Sequence, residues 1–430
     1  MSRKKIIENK LKTAGIQTGD KILIETKNIR REGVLMPHHD FSSDDIVTIK
    51  LDNGYNIGIK VDEDTRISLL EKHRKIVKKS RSIPFDKNKP TISFVGTGGT
   101  IACYVDYRTG AVFPATSAEE LAFSVPEVFD ICNVKTQVAF QMFSEDITVQ
   151  HWQKLARIVA EELNGGSKGV VIPHGTDTLG YTSAALSFML KNLTGPVVLV
   201  GAQRSSDRPS SDAALNLLSA AAVASKSDIG EVVVVMHRGI SDTSIAIHRG
   251  TKVRKFHTSR RDAFKSVNTN LLGVVENGEI KIYDKEYNKK KEGKVVVDSK
   301  MEADVGMVYS YPGLKPEDIP DKKGVILIGT GLGHVPERVI PRLKELTEKG
   351  TVFAMTSQCI FGRINMNVYS KGRDLLKIGV IPCEDMLPET AYVKLMWALA
   401  HAKNREETRE LMLTNIAGEI TSRTRSDVYL

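Results

Sequence analysis

Twice in this chain a short apolar strand runs directly into a turn built from glycine and threonine. Thr91–Val95 leads into Thr97-Gly98-Gly99-Thr100-Ile101-Ala102, and Gly169–Ile172 leads into His174-Gly175-Thr176-Asp177-Thr178. Short, wholly apolar strands that alternate with helical patterns belong to parallel sheets covered on both faces. Turns at the carboxyl ends of such strands hold ligands and carry chemistry. A threonine hydroxyl attacks an amide only when a neighbour takes its proton. Two such hydroxyls, with a carboxylate at Asp177 and a lysine-rich segment further on, point to amide hydrolysis by threonine.

The rest of the chain alternates in the same way. Val197–Val200 and Glu231–Met236 read as further buried strands. Trp152, Leu155, Ile158, Val159 and Leu163 recur at helical spacing, and Asp212 to Ala224 is an alanine- and leucine-rich helix. A charged tract, Lys285 to Lys294, reads as a surface connection to a second α/β unit. That unit has strands at Val325–Ile328 and Val352–Met355, and helices at Glu337–Lys349, Glu389–Ala402 and from Arg405 to about Leu413. Ahead of all this, Lys21–Thr26, Glu32–Met36, Ile46–Leu51 and Asn56–Val61 are short β-rich runs, with Asp52-Asn53-Gly54 as a hairpin turn signal. Their spacing suits a small SH3-like barrel. At 430 residues the chain is too long for one core. The expected organisation is a small β-barrel over 1–70, a basic linker over 71–90, helical at its start, an α/β domain with the threonines over 91–284, a connection over 285–302 and a second α/β domain over 303–430.

Composition narrows the class. With 41% hydrophobic and 26% charged residues the chain reads as an ordinary globular protein, and no apolar run approaches the roughly 20 residues of a membrane span. Met-Ser-Arg-Lys-Lys lacks an apolar secretory core. Cys103, Cys132, Cys359 and Cys383 are scattered without a C-x-x-C pair, so neither a metal site nor a disulfide framework is expected, and the compartment reads as cytoplasmic and reducing. Net charge is +9, and residues 1–89 hold 20 Lys/Arg against 13 Asp/Glu. Most of the surplus therefore sits in the first fifth of the chain, either as a polyanion-facing module or as a solvated surface.

Each candidate site residue also has a plainer reading. Gly96-Thr97-Gly98-Gly99-Thr100-Ile101 fails as a dinucleotide fingerprint because isoleucine stands where the third glycine is needed. Gly98 and Gly99 then serve to let Thr100 project into a cleft, or form an ordinary turn. Asp177 suits an α-ammonium group, yet Asp177 or Thr178 also suits the cap of a helix over Leu179–Leu190. His248 to Thr258 reads as a basic loop whose lysines are either surface charge or, beside a hydroxyl, a base. Cys359 lacks the glycine of a nucleophile elbow and reads as a buried residue.

Taken together, Thr97–Ala102 and His174–Thr178 resemble the paired signature of the bacterial-type asparaginase/glutaminase family. Val200–Arg204, Phe264–Asn268 and Glu389–Leu395 resemble it too, so the likeness runs from about Thr91 to the C-terminus. The resemblance implies two asparaginase-like α/β domains. It implies Thr100 as the nucleophile that forms an acyl-enzyme, and Thr176, Asp177 and Lys255 as the set that relays protons and activates water. Lys255 rather than Lys252 is placed by counting back from Asp262-Ala263-Phe264. Ser144 and Glu145 match the segment that grips the α-carboxylate and α-ammonium of the substrate, although many stand-alone members have an uncharged residue where Glu145 sits. A tyrosine on a mobile loop falls at Tyr107, with Tyr104 as its rival.

Stand-alone members begin close to their first threonine motif, whereas about 90 residues precede it here. That extension, Val105–Val112 and Ser357–Tyr369 resemble the D-type subunits of archaeal-type glutamyl-tRNA(Gln) amidotransferases. The likeness implies a glutaminase that releases ammonia to an ATP-using E-type subunit, which amidates Glu-tRNA(Gln). It implies a homodimer within an α2β2 assembly, tRNA contacts mainly through the partner, no cofactor on this chain, and ATP and Mg on the partner. A free-standing asparaginase/glutaminase with an accessory domain is the alternative.

Overall fold

The computed structural model describes residues 3–38, 43–52, 55–72, 83–98, 103–105, 112–114, 122–204, 210–424 and 428. Its largest element is an eight-stranded sheet. In spatial order the strands are Glu279–Ile282, Gly273–Glu276, Ile245–Arg249, Val232–His237, Val197–Val200, Val170–Pro173, Thr91–Gly96 and Asn133–Val138. The last five run parallel, and the first three add on antiparallel. The expected parallel sheet is therefore a mixed one, with an antiparallel edge. The reason is that Ile245–Arg249 follows Val232–His237 after a short turn, too short for a crossover helix.

Within the parallel part, the second strand in the chain lies on one side of the first, and the third lies on the other. Strand order thus reverses between Thr91–Gly96 and Val170–Pro173, which pair with Val170 opposite Ser93. Ligands of open α/β sheets bind at such a reversal, outside the carboxyl ends of the strands. Both threonine motifs leave the sheet there, side by side.

A second sheet of four parallel strands, Val305–Tyr309, Gly324–Gly329, Val352–Ser357 and Ile381–Pro382, forms the C-terminal unit. The two units share one apolar core. Helices Leu179–Met189 and Pro388–His401 face each other across it, with Phe188 stacked on Trp397 at 6.3 Å between ring centroids. Helix Val149–Asn164 turns Trp152, Leu155, Val159 and Leu163 into this core. The predicted helix over Glu337–Lys349 is a 3-10 turn, Glu337–Val339, followed by an α-helix, Ile340–Glu348, with Pro341 in its first turn.

The N-terminal unit is a five-stranded antiparallel sheet, with Asn56–Lys60 and Arg66–Glu71 at its edges. Neither Arg66–Glu71 nor the helix Arg3–Thr13 is expected from the sequence. Strand Arg66–Glu71 shows little inward burial, and helix Arg3–Thr13 is largely polar, so neither has a strong apolar signature. Asn53 and Gly54 of the hairpin signal, and most of the basic linker after Lys72, lie outside the described residues. No helix among the described residues is long and apolar enough to cross a membrane.

Candidate active site

Four turns converge at the point of strand reversal. Thr97 leaves the first strand, and its hydroxyl donates to the Pro173 carbonyl at 2.8 Å, tying the two motifs together. Gly98 follows with φ +97°, and a Cβ there would lie 2.5 Å from the Met142 carbonyl oxygen. Only glycine fits that position. Thr100 and Tyr107, the expected nucleophile and loop tyrosine, lie outside the described residues, as does the rest of the turn from Gly99. Tyr104 falls in the short strand Cys103–Val105, paired with Val112–Pro114.

The second motif is tightly enclosed. A Cβ on Gly175 would lie 2.7 Å from Ser144 Cβ, and one on Gly201 would lie 2.7 Å from Thr176 Cγ2. Glycine at both places lets Ser144, Thr176 and the turn after Val197–Val200 close upon one another. Ser144 sits on a 3-10 turn, Ser144–Asp146, and is buried, whereas Glu145 is exposed. Thr178 stands at the N-cap of helix Leu179–Met189 without capping it; its hydroxyl donates to the Ser144 carbonyl at 2.7 Å. His174 is fully buried, with Nδ1 donating to the Gly175 carbonyl at 2.7 Å, and burial pushes its pKa down to about 4. It is therefore neutral near pH 7 and adds no charge to the site.

Lys255 supplies the cation. Its ammonium donates to Thr176 Oγ1 at 2.8 Å and to Asp177 Oδ1 at 2.9 Å. Thr176 is buried, the Lys255 side chain is 15% exposed, and the Asp177 carboxylate is 71% exposed. The arrangement places a buried hydroxyl and an open carboxylate on one ammonium, with the carboxylate free to face a ligand. Lys252 is elsewhere: it is buried against Asp385 at 2.7 Å. The segment read as a basic loop, His248 to Thr258, is strand at His248–Arg249 and Val253–Lys255 and irregular between and after them. Ile245–Arg249 belongs to the large sheet, and Val253–Lys255 forms a hairpin with Phe264–Ser266, in which Lys255 faces Phe264. Charge masked the alternation there: Val253 is buried while Arg254 and Lys255 are only partly so.

The hairpin is also held by the C-terminal unit. Beyond the Lys252–Asp385 pair, Arg254 meets Glu389 at 3.2 Å, and Thr390 Oγ1 donates to the Thr251 carbonyl at 2.8 Å. Asn268 donates to the Gly362 and Asp385 carbonyls and accepts from the Gly362 N–H. Lys255 thus projects from an element fixed between both units. A cavity of about 440 Å³ opens behind Thr178, lined in part by Thr148, Trp152, Tyr181 and Tyr392.

Cys359, read from the sequence as buried, is exposed just after Val352–Ser357. Buried thiols are found instead at Cys132 and Cys383, where burial raises each pKa to about 12. No cluster with the composition of a metal site occurs among the described residues. Gly175 and Gly201 have no role assigned from the sequence, where their one signal is a glycine close behind each buried strand end.

A reversal-point site with paired threonine turns, joined to a second parallel sheet, defines an asparaginase-type amidohydrolase fold. Residues 91–288 match the model described as "Asparaginase, N-terminal", and 304–412 match "Glutaminase/Asparaginase C-terminal domain". The thermostable L-asparaginase of Thermococcus kodakarensis superposes with a TM-score of 0.69 at 33% identity, covering 77% of this chain and 100% of that one. L-asparaginase I of Vibrio cholerae gives 0.67 at 30% identity, covering 77% and 99%. Residues 16–70 match "GatD N-terminal domain". The D-type subunit of glutamyl-tRNA(Gln) amidotransferase from Pyrococcus furiosus is 53% identical over 99% of both chains. Its counterpart from Methanothermobacter thermautotrophicus is 46% identical over 96% of both. The chain belongs to this family of D-type glutamyl-tRNA(Gln) amidotransferase subunits.

Proposed function

We propose that this chain is the glutamine-hydrolysing subunit of a cytoplasmic, tRNA-dependent amidotransferase that converts Glu-tRNA(Gln) to Gln-tRNA(Gln). The observation that carries the reading is the Lys255 ammonium shared by Thr176 and Asp177 at the strand reversal. Full-length similarity to the D-type subunits supports it, as does the N-terminal match to a domain model named for them.

In this mechanism Thr100 Oγ adds to the side-chain carboxamide carbon of glutamine. The amide nitrogen takes up the hydroxyl proton and leaves as ammonia, and an ester to Thr100 remains. Water then adds to the ester carbon, and its collapse returns the Thr100 hydroxyl and releases glutamate. Thr176 and Lys255 handle the water's proton, acting in the range of about 10² to 10⁴-fold typical of positioned acid–base groups. Asp177 and Glu145 present carboxylates to the α-ammonium, while Ser144 faces the α-carboxylate. Tyr107 closes over the bound substrate and excludes water.

Ammonia then passes to an ATP- and Mg-using partner, the E-type subunit, in an α2β2 assembly around a homodimer of this chain. The chain itself needs no cofactor, and Glu-tRNA(Gln) is held mainly by the partner. Rapid acid quench with glutamine, followed by peptide mass analysis, tests the chemistry. An acyl adduct on the peptide containing Thr100 is expected, and an adduct on exposed Cys359 instead would contradict the assignment.

A further inference from the structure

Behind the Thr176–Lys255 pair runs a chain of buried polar groups. It begins at Gly201, whose backbone packs on the Thr176 methyl group. The Gly201 carbonyl accepts from Asn216 Nδ2 at 3.0 Å, and the same nitrogen donates to Asp212 Oδ2 at 3.0 Å. Asp212 is fully buried and also accepts from the Gln203 and Arg204 N–H groups, so it fixes the turn that follows Gly201. With its nitrogen bonded to two acceptors, Asn216 must present Oδ1 to His237 Nδ1, 2.6 Å away.

His237 is fully buried and carries its proton on Nδ1, which leaves Nε2 as an acceptor. Burial, and then the Arg261 guanidinium, hold its pKa below the ordinary imidazole range, consistent with a neutral ring. Arg261 Nη2 donates to that Nε2 at 2.8 Å and also to Asp242, while Nη1 donates to the Ile240 carbonyl at 3.1 Å. Arg261 lies on the turn of the hairpin that carries Lys255, and Phe256 N–H closes that turn on the Ala263 carbonyl.

The chain of groups therefore starts at the wall of Thr176 and ends on the hairpin of Lys255. We infer that Asn216, His237 and Arg261 form a brace that sets the Thr176–Lys255 contact from both sides, and that Arg261 is a positioning residue for amide hydrolysis. The inference rests on the reading of Thr176 and Lys255 as catalytic. A displacement of about 1 Å in such a pair costs about 100-fold in rate.

Ammonia release by the full-length chain tests it, under whichever addition of partner subunit and Glu-tRNA(Gln) gives the wild type its highest rate. Arg261→Gln is expected to lower kcat by about 10 to 100-fold with KM within about twofold. Arg261→Lys recovers part of the loss. His237→Asn keeps the bond to Asn216 and forfeits the one to Arg261, so it matches Arg261→Gln, and the double variant is no worse than either. Arg260→Gln, at the neighbouring exposed residue that pairs with Asp262, keeps the wild-type rate. A folded Arg261→Gln with wild-type kcat overturns the brace, as does an equal loss in Arg260→Gln or a multiplicative loss in the double variant. Lys255→Met separates the two levels. If it is inactive while Arg261→Gln is intact, the brace alone is wrong; if it is fully active, the brace and the site reading fall together.

Discussion

One ammonium on two acceptors is the residue-scale core of the account. Lys255→Met removes both hydrogen bonds yet keeps the apolar stem, so the fold should persist while amide hydrolysis falls by about 100-fold or more, measured as ammonia release alongside thermal melting. The glycines are equally specific. Gly98→Ala would bring a methyl group to 2.5 Å from the Met142 carbonyl at a φ that side chains rarely adopt. It is expected to destabilise the chain by about 1–3 kcal/mol and to impair hydrolysis, read by denaturant unfolding and by rate. At this scale the sequence was informative where a motif has several members. Lys255 could be separated from Lys252 only through the resemblance, because both are lysines in one basic run. The structure separates them physically: Lys252 is buried on Asp385, and Lys255 reaches the threonine.

At the scale of elements, the hairpin Val253–Lys255/Phe264–Ser266 matters because both units hold it. Lys252 and Asp385 are 0% and 3% exposed, and Asp385 also accepts from the Thr421 N–H and hydroxyl. Lys252→Met leaves that carboxylate with Arg363, at 3.6 Å, as its remaining cation and is expected to cost about 3 kcal/mol, the low end for a broken buried pair, seen as a lower denaturation midpoint. Activity should fall with it only where the hairpin detaches. Apolar elements were readable from periodicity: the spacing of Trp152, Leu155, Ile158, Val159 and Leu163 predicts a helix, and all five are buried on helix Val149–Asn164. Elements with charged or polar faces were not. The hairpin hid within a run of lysines and arginines, and strand Arg66–Glu71 has no buried residue to betray it. Cys359 misled for a different reason, since the lack of a nucleophile-elbow glycine does not say which way the turn after a strand faces.

For the whole molecule, three buried histidines link stability to pH, His237 together with His174 and His248. Burial lowers the pKa of His174 to about 4 and of His248 to about 3, from an ordinary value of 6.5. The unfolded chain therefore binds more protons than the folded one between about pH 3 and 6.5, and stability falls as pH drops through that window. The melting temperature should decline from pH 7 to pH 5, and His248→Gln should flatten the decline; a pH-independent melting curve would contradict the burial of these rings. Order along the chain was legible at this scale because the strand and helix patterns alternate over most of its length. The reversal of strand order between Thr91–Gly96 and Val170–Pro173 was not, since pairing partners leave no local mark in sequence. That reversal is what turns two separate motifs into one site.

The central claim is that this site makes ammonia from glutamine on behalf of a partner. Its most direct test is ammonia release from glutamine and asparagine by the full-length chain, wild type and Thr100→Ala, with and without the ATP-using partner and Glu-tRNA(Gln). The account predicts glutamine hydrolysis that both additions stimulate strongly and that Thr100→Ala abolishes. Fast asparagine hydrolysis that ignores the partner, or undiminished turnover in Thr100→Ala, would contradict it.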